Sequence, residues 1–220
     1  SDKLTFLVNT EFYRNTSAKA SMIFLSRYAP LSFDKIDLFE KNYKKSFTSN
    51  DLTMNNNSFN MQMQALYKLS NNWTSQTVLS KSSTKTNGYY HYLWDSANGD
   101  EFTRFISKAD GTFYTTDIQQ NFIGDFKIGN MRNRLVAGLD YYNSRLINGG
   151  SGWVSNGIVS LVNGTDSGVL TQAGTDALLT GSFAGNTEAN QEIMSAYVSD
   201  VLNITNKLSV MVSLRLDYFD

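Results

Sequence analysis

The residues best suited to binding chemistry lie close together in the middle of the chain. They are four tyrosine or tryptophan rings, the single histidine and one arginine: Tyr89, Tyr90, His91, Tyr92, Trp94 and Arg104. Aromatic rings stack on ligand rings and attract cations, and a guanidinium pairs with anionic groups. We therefore predict a ligand-binding surface in this segment. The alternative is that these rings extend an aromatic girdle or pack against one another within the segment.

The residue types offer little for catalysis or metal binding. With one His and no Cys, the chain indicates neither a Cys-ligated metal site nor a Ser-His-Asp site. Asp95, Asn98, Asp100 and Glu101 resemble a calcium loop only loosely and fail the EF-hand pattern, so we interpret them as a solvated acidic turn. We predict no catalytic residue, no metal site and no cofactor, and hence no enzyme.

The composition narrows the class of partner. The 220 residues carry a formal net charge of −1, which gives no electrostatic footprint for nucleic acid. No run approaches the roughly 18 consecutive apolar residues of a membrane helix. There is neither an initiator Met nor a signal segment at Ser1, so we expect a mature, trimmed or partial chain.

Apolar and polar residues alternate along most of the chain, which is the pattern of β-strands with two different faces. The segment Phe59–Tyr67 and the C-terminal segment Leu208–Tyr218 show it most clearly. We predict an all-β antiparallel meander of about seven strands. The predicted strands lie near residues 4–13, 59–68, 73–82, 113–128, 134–146, 192–202 and 207–219, with no helix of more than ten residues inside them.

Short and long connections between these strands alternate. Short turns are predicted at 70–72, 129–133 and 203–206, and long loops at 14–58, 82–112 and 144–191. Outer-membrane β-barrels have short periplasmic turns and long extracellular loops in this way. The Gly-rich loop 144–191 is interpreted as a flexible extracellular flap. An odd number of strands does not close a single-chain bacterial barrel. We therefore expect residues 1–220 to be part of a larger transmembrane barrel, on the order of 22 strands in the plugged transporters.

The alternation also predicts which side chains face lipid and which face the lumen. The predicted lipid-facing residues are Phe59, Met61, Met63, Leu135, Leu139, Val210, Val212 and Leu214. The predicted lumen-facing residues are Gln62, Gln64, Asp125, Asp140, Arg215 and Asp217. On this assignment, Val212→Arg should impair assembly far more than Ser213→Arg.

Two segments resemble a known family of such barrels. Residues 116–142, TDIQQNFIGDFKIGNMRNRLVAGLDYY, and residues 195–220, SAYVSDVLNITNKLSVMVSLRLDYFD, resemble strand hairpins of TonB-dependent siderophore receptors. The opening DKLTFLVNTEFYRN is similar to the same recurrent strand pattern. The chain departs from the family at Asn133–Arg134, where His is common, and at Ser213–Leu214, where Gly is usual.

The resemblance implies a function in iron uptake at the cell outer membrane. Its partners would be a ferric siderophore, outer-membrane lipid, and the TonB complex acting through a plug domain that this chain lacks. Two alternatives remain open at this stage. One is an outer-membrane porin or adhesin barrel without a plug, and the other is a secreted β-sandwich binding protein such as a lectin.

Overall fold

The computed structural model describes residues 3–25, 42, 44–95, 100–183 and 185–220. Most of these residues belong to strands of one sheet. In chain order the elements are β1 (Leu4–Ala18), β2 (Met22–Phe24), β3 (Thr53–Lys68), β4 (Trp73–Asp95), β5 (Glu101–Ile128), β6 (Met131–Asn148), β7 (Val154–Ser160), β8 (Thr165–Asp166), the helix α1 (Gln172–Leu179), β9 (Thr187–Asn203) and β10 (Ser209–Phe219).

Seven long strands form an antiparallel meander in the order β1-β3-β4-β5-β6-β9-β10, and we call them the wall. The prediction of seven wall strands is confirmed. The sheet is open, with β1 and β10 at its edges. The short turns also agree with prediction: β5 passes into β6 through Gly129, whose φ of 63° lies in the left-handed region that favours glycine.

The prediction of a long loop over residues 82–112 is wrong. The strands β4 and β5 instead stay paired without interruption from Trp73↔Gly124 to Asp95↔Phe102. Polar Ser, Thr and Lys residues in the middle of β4 conceal the continuation of this hairpin in the sequence, but the backbone ladder does not depend on side-chain polarity.

The other two predicted loops also contain regular structure. The segment 14–58 includes the end of β1, the start of β3 and the short strand β2. The segment 144–191 is not a free flap: β7 pairs with β5 and β8 pairs with β7, and α1 follows them. Thr171 caps α1 by accepting a hydrogen bond from the backbone N–H of Gly174, which fixes the start of the helix.

The strand register groups the side chains of the wall as the sequence predicts. Residues that pair across neighbouring strands share a face, and pairs such as Met63↔Leu79, Leu79↔Ile118 and Ile118↔Tyr141 carry one face across the sheet. All eight residues predicted to face lipid lie on this side, which we call the apolar face. All six residues predicted to face the lumen lie on the other side, which we call the polar face.

The apolar face of the wall is uncovered and large. Phe12, Val212 and Leu216 are 80%, 67% and 67% exposed. A β-sandwich would bury such a face against a second sheet, and a protein in water rarely exposes so continuous a patch. Within the described ranges, no helix is long and apolar enough to cross a membrane.

The buried core lies above the wall. Two clusters form it, one around Leu52, Tyr89, Ile106 and Leu179, the other around Leu93, Phe102, Val159 and Leu161. They join the far end of the β4–β5 hairpin to the segments 44–52 and 161–180, which we call the cap. This small core orders the part of the hairpin that carries the predicted binding residues.

Candidate ligand-binding surface

The upper hairpin consists of residues 88–95 of β4 and 101–109 of β5. Its neighbours in the wall end where it begins, since β3 pairs only up to Met54↔Gly88 and β6 only up to Gly111↔Asn148. Above these points β2 pairs with β4 and β7 pairs with β5. Gly88 permits the exchange of partners, because a Cβ there would lie 2.1 Å from the carbonyl oxygen of Thr53.

Strand alternation divides the six predicted binding residues between two faces. The register of β4 and β5 has no bulge, so each face of the wall continues into the upper hairpin. Tyr90, Tyr92 and Trp94 continue the polar face. The other three, Tyr89, His91 and Arg104, continue the apolar face, where they are buried. The structure therefore does not bring the six residues together on one surface.

The polar face of the upper hairpin carries a cluster of aromatic rings centred on Tyr92. The Tyr92 ring lies 5.2 Å from Phe105, 4.8 Å from Trp153 and 5.3 Å from Phe24, measured between ring centroids. Trp94 lies 6.0 Å from Phe24 and 6.5 Å from Tyr92. These separations are those of favourable aromatic pairs. We call these five residues the aromatic surface.

The aromatic surface is partly open to solvent. Trp94 and Trp153 are 46% and 49% exposed, and Tyr90 beside them is also exposed. Tyr92 stacks on Phe105, while Phe24, Trp94 and Trp153 at the border of the cluster stay exposed. A flat ligand group could therefore contact these three outer rings without a rearrangement of the backbone.

Arg104 lies on the reverse side and is fully buried. Its guanidinium forms two hydrogen bonds to the carboxylate of Asp166, at 2.8 and 2.5 Å, and donates a third to the carbonyl oxygen of Phe47 at 2.9 Å. A Cβ on Gly168 would lie 2.0 Å from Nη1 of Arg104, so the guanidinium packs directly against this glycine. Arg104 thus clamps both cap segments to the hairpin, and its charge is neutralised within the protein.

Tyr89 and His91 are also buried on this side of the upper hairpin, Tyr89 against the cap and His91 against the segment between β1 and β2. The Tyr89 hydroxyl donates to Asp176 of α1 at 2.7 Å, and Lys108 reaches the same carboxylate atom at 2.7 Å. Burial raises the pKa of Tyr89, and the hydrogen bond to Asp176 adds to this effect. His91 donates from Nε2 to the carbonyl oxygen of Lys19 at 2.8 Å. Burial lowers the pKa of His91, so the neutral ring is the form suited to this site.

The sequence analysis missed three members of the aromatic surface. Phe105 lies opposite Tyr92 in the hairpin. The sequence could have revealed this pair if the two strands had been aligned from their ends, with residue 95 opposite residue 102. Phe24 and Trp153 approach from β2 and from the segment before β7, and no local pattern in the sequence connects them to Tyr92. Of the acidic turn, Asn98 lies outside the described residues. Among the described residues, no group of three or more His, Cys, Asp or Glu side chains could hold a metal ion.

Comparison with known proteins identifies the fold. No family model and no curated protein matches the sequence. Solved structures do match. The closed form of the ferric-catecholate import receptor Fiu from E. coli K12 superposes with a TM-score of 0.75 at 14% identity, over 99% of this chain and 32% of that receptor. BauA, the ferric preacinetobactin receptor from Acinetobacter baumannii, gives 0.77 at 12% identity, over 100% and 32%. The siderophore receptor PiuA from the same organism gives 0.60 at 15%, over 97% and 33%.

The chain spans about a third of the length of each of these receptors. The resemblance to siderophore receptors that the hairpin motifs indicate is therefore confirmed at the level of the fold. The protein has the fold of a seven-stranded section of a siderophore-receptor β-barrel.

Proposed function

We propose that residues 1–220 form part of the barrel wall and the extracellular loops of an outer-membrane receptor that imports a ferric siderophore under TonB drive. The remaining strands and a plug domain would complete the receptor outside these residues. The uncovered apolar face would contact outer-membrane lipid, and the polar face would line the lumen. The fold shared with Fiu, BauA and PiuA supports the proposal.

The observation that carries the proposal is the position of the aromatic surface. Tyr92, Trp94 and Phe105 lie on the same face of β4 and β5 as lumen residues such as Gln76 and Asn121, with no bulge between them. A ligand held by these rings would therefore lie above the lumen and not on the lipid side. A surface on the opposite face would have no route into the barrel.

The chemistry of the surface suits a siderophore with aromatic or amide arms. Stacking on partly exposed rings contributes on the order of 1 kcal/mol for each contact. Arg104 contributes indirectly, because its charge is satisfied by Asp166 on the reverse face. The specificity of the proposed site would therefore come from ring stacking and shape more than from charge pairing with Arg104.

The test uses the complete receptor, with the candidate ferric siderophore identified by iron-limited growth. Replacing Tyr90, Tyr92 and Trp94 together by Ala should raise the ligand Kd by about tenfold or more. Tyr218→Ala is the matched control, because it removes an exposed ring from the apolar face of the wall. We expect the control to bind normally and both variants to assemble.

Two outcomes would contradict the proposal. Unchanged affinity in a correctly assembled triple variant would exclude the aromatic surface as the binding site. Passive solute diffusion through the complete protein, without siderophore binding or dependence on TonB, would instead support the porin alternative.

A further inference from the structure

The apolar face of the wall has a cavity at its upper border. Its volume is about 530 Å³, and its lining includes Phe12, Arg14, Asn57, Phe59, Lys85 and Tyr114. The lining thus combines aromatic rings with two cationic side chains. The cavity lies on the side opposite the aromatic surface, so the proposed siderophore site does not use it.

The strand register places the rings and the cations in two adjacent rows. Phe12 pairs with Phe59, Phe59 with Ser83, and Ser83 with Tyr114. In the next row upward, Arg14 pairs with Asn57, Asn57 with Lys85, and Lys85 with Thr112. The cations therefore lie directly above a row of rings.

The height of these rows matches the border of a bilayer. A tilted strand crosses the apolar layer in about 9–11 residues. Counted along β4 from the ring of Trp73, this length ends near Ser83, so Lys85 is the first outward residue beyond it. On β1 the shorter end of that range, counted from Leu4, reaches Phe12, and Arg14 is the next residue of the apolar face. Arg14 and Lys85 thus lie at headgroup depth, and Phe12 and Phe59 lie where acyl chains begin.

Nothing in the described part of the protein neutralises these cations. The side chains of Arg14, Lys81 and Lys85 make no hydrogen bond or ion pair with any residue that the structure describes. Glu11 lies on the polar face. Asp110 is the nearest acidic residue on the same face, one row above Lys85, and is exposed. Lys81 lies one row below the rings, from where its long side chain can extend upward to the same level.

The spacing of the cations suits one phosphate. Arg14 and Lys85 flank Asn57 on the two strands next to β3, which separates their Cα atoms by roughly 10 Å. Two long side chains can span that separation and meet on a single anion. The ring pair of Phe12 and Phe59, with centroids 4.7 Å apart, provides an apolar seat immediately below.

We propose that this cavity binds a membrane lipid whose phosphate-bearing headgroup has a net negative charge, in the leaflet on the extracellular side. The phosphate would lie between Arg14 and Lys85, and the first part of an acyl chain would lie over Phe12 and Phe59. This inference rests on the proposed function only in requiring that the wall spans a membrane.

The test is a lipid titration of the complete, detergent-purified receptor by native mass spectrometry, with phosphatidylglycerol and phosphatidylcholine as the probes. The double variant Arg14→Gln with Lys85→Gln should raise the apparent Kd of the first phosphatidylglycerol by about thirtyfold, since each of the two cations near a headgroup contributes about 1 kcal/mol. Binding of zwitterionic phosphatidylcholine should change little, because the choline ammonium of that headgroup already balances its phosphate charge.

Two further variants control for charge and folding. Lys127→Gln with Arg134→Gln removes the same two residue types from the polar face and should leave lipid binding unchanged. Arg14→Lys with Lys85→Arg keeps both charges and should retain the preference for phosphatidylglycerol. Equal lipid binding by the Gln double variant and the polar-face control would overturn the proposal. Displacement of the lipid by an equal concentration of inorganic phosphate would overturn it as well, because the site would then recognise the free ion.

Siderophore uptake by the same variants separates this inference from the proposed function. We expect uptake by the Arg14→Gln and Lys85→Gln variant to be normal, because neither side chain faces the lumen. Normal uptake with unchanged lipid binding would refute the lipid site alone. Absence of uptake by the unmodified receptor, with lipid preference intact, would refute the proposed function alone.

Discussion

Replacement of Arg104 by Met tests whether the cap is held to the upper hairpin by one buried ion pair. Met is close in length and apolar, so the change mainly removes the charge and the three hydrogen bonds to Asp166 and Phe47. Breaking one partner of a buried ion pair costs about 3–5 kcal/mol, because the other charge is left buried and unpaired.

The expected value lies at the lower end of that range. The Asp166 side chain is 18% exposed, and it keeps a hydrogen bond from the backbone N–H of Gly168 at 2.8 Å. Water can therefore partly solvate the carboxylate that Arg104→Met leaves behind. We expect the free energy of cap opening to fall by about 3 kcal/mol.

Hydrogen exchange on the complete protein measures this opening directly. A loss of about 3 kcal/mol should lower the protection of slowly exchanging amides in residues 161–180 by roughly a hundredfold, while amides of the wall serve as the internal control. The double variant Arg104→Met with Asp166→Asn should recover part of the protection, because it removes the unpaired carboxylate. Unchanged protection in Arg104→Met, or no recovery in the double variant, would refute the reasoning.

Three further predictions concern the wall and the cap. Leu216→Arg, in the middle of the apolar face, should cost about 2–4 kcal/mol and reduce assembly in liposomes, whereas Ser213→Arg on the polar face should assemble normally; equal yields would show that the faces are misassigned. Burial lowers the pKa of His91 below its ordinary value of 6.5, so the unfolded hairpin binds more protons in acid, and cap stability should be complete above about pH 6.5 and fall as the pH drops below it. Hydrogen exchange at about pH 8 and about pH 5 checks this, and a His91→Gln variant with the same pH dependence would exclude His91 as its source. Asp176→Asn should lower protection in α1 by only a few fold, since the Asp176 side chain is 39% exposed and its pair with Lys108 is screened by solvent.

The depth of a residue in the wall refines the prediction first made for Val212→Arg. Val212 pairs with Asp200, which pairs in turn with Leu135, and the same row ends at Trp73. An acidic residue and an indole ring are typical of the membrane border, where the cost of an Arg falls to about 0–1 kcal/mol. Leu216 lies two rows further into the apolar band, so it is the more sensitive position.

The wall could be predicted from the sequence because its determinants are local. Each strand has its own alternation of residues such as Met61 and Gln62, and short Asn- or Gly-rich turns fix which strands are neighbours. These two signals gave the seven strands, their order and the two faces, including the orientation of Arg215 and Asp217.

The upper hairpin and its cap could not be predicted in this way, because tertiary contacts decide them. Residues such as Ser82 and Thr84 give no apolar alternation, and their strand continues because β5 pairs with it along its whole length. Tyr89, His91 and Arg104 lie on the apolar face because the register of β4 and β5 continues unchanged to the end of the hairpin. The burial of Tyr89 and Arg104 follows from the cap, which returns from more than 50 residues away to place Asp166 against Arg104. A cluster of rings adjacent in the sequence was thereby divided by the sheet into a buried anchor and an open aromatic surface, since successive residues of a strand point to opposite sides.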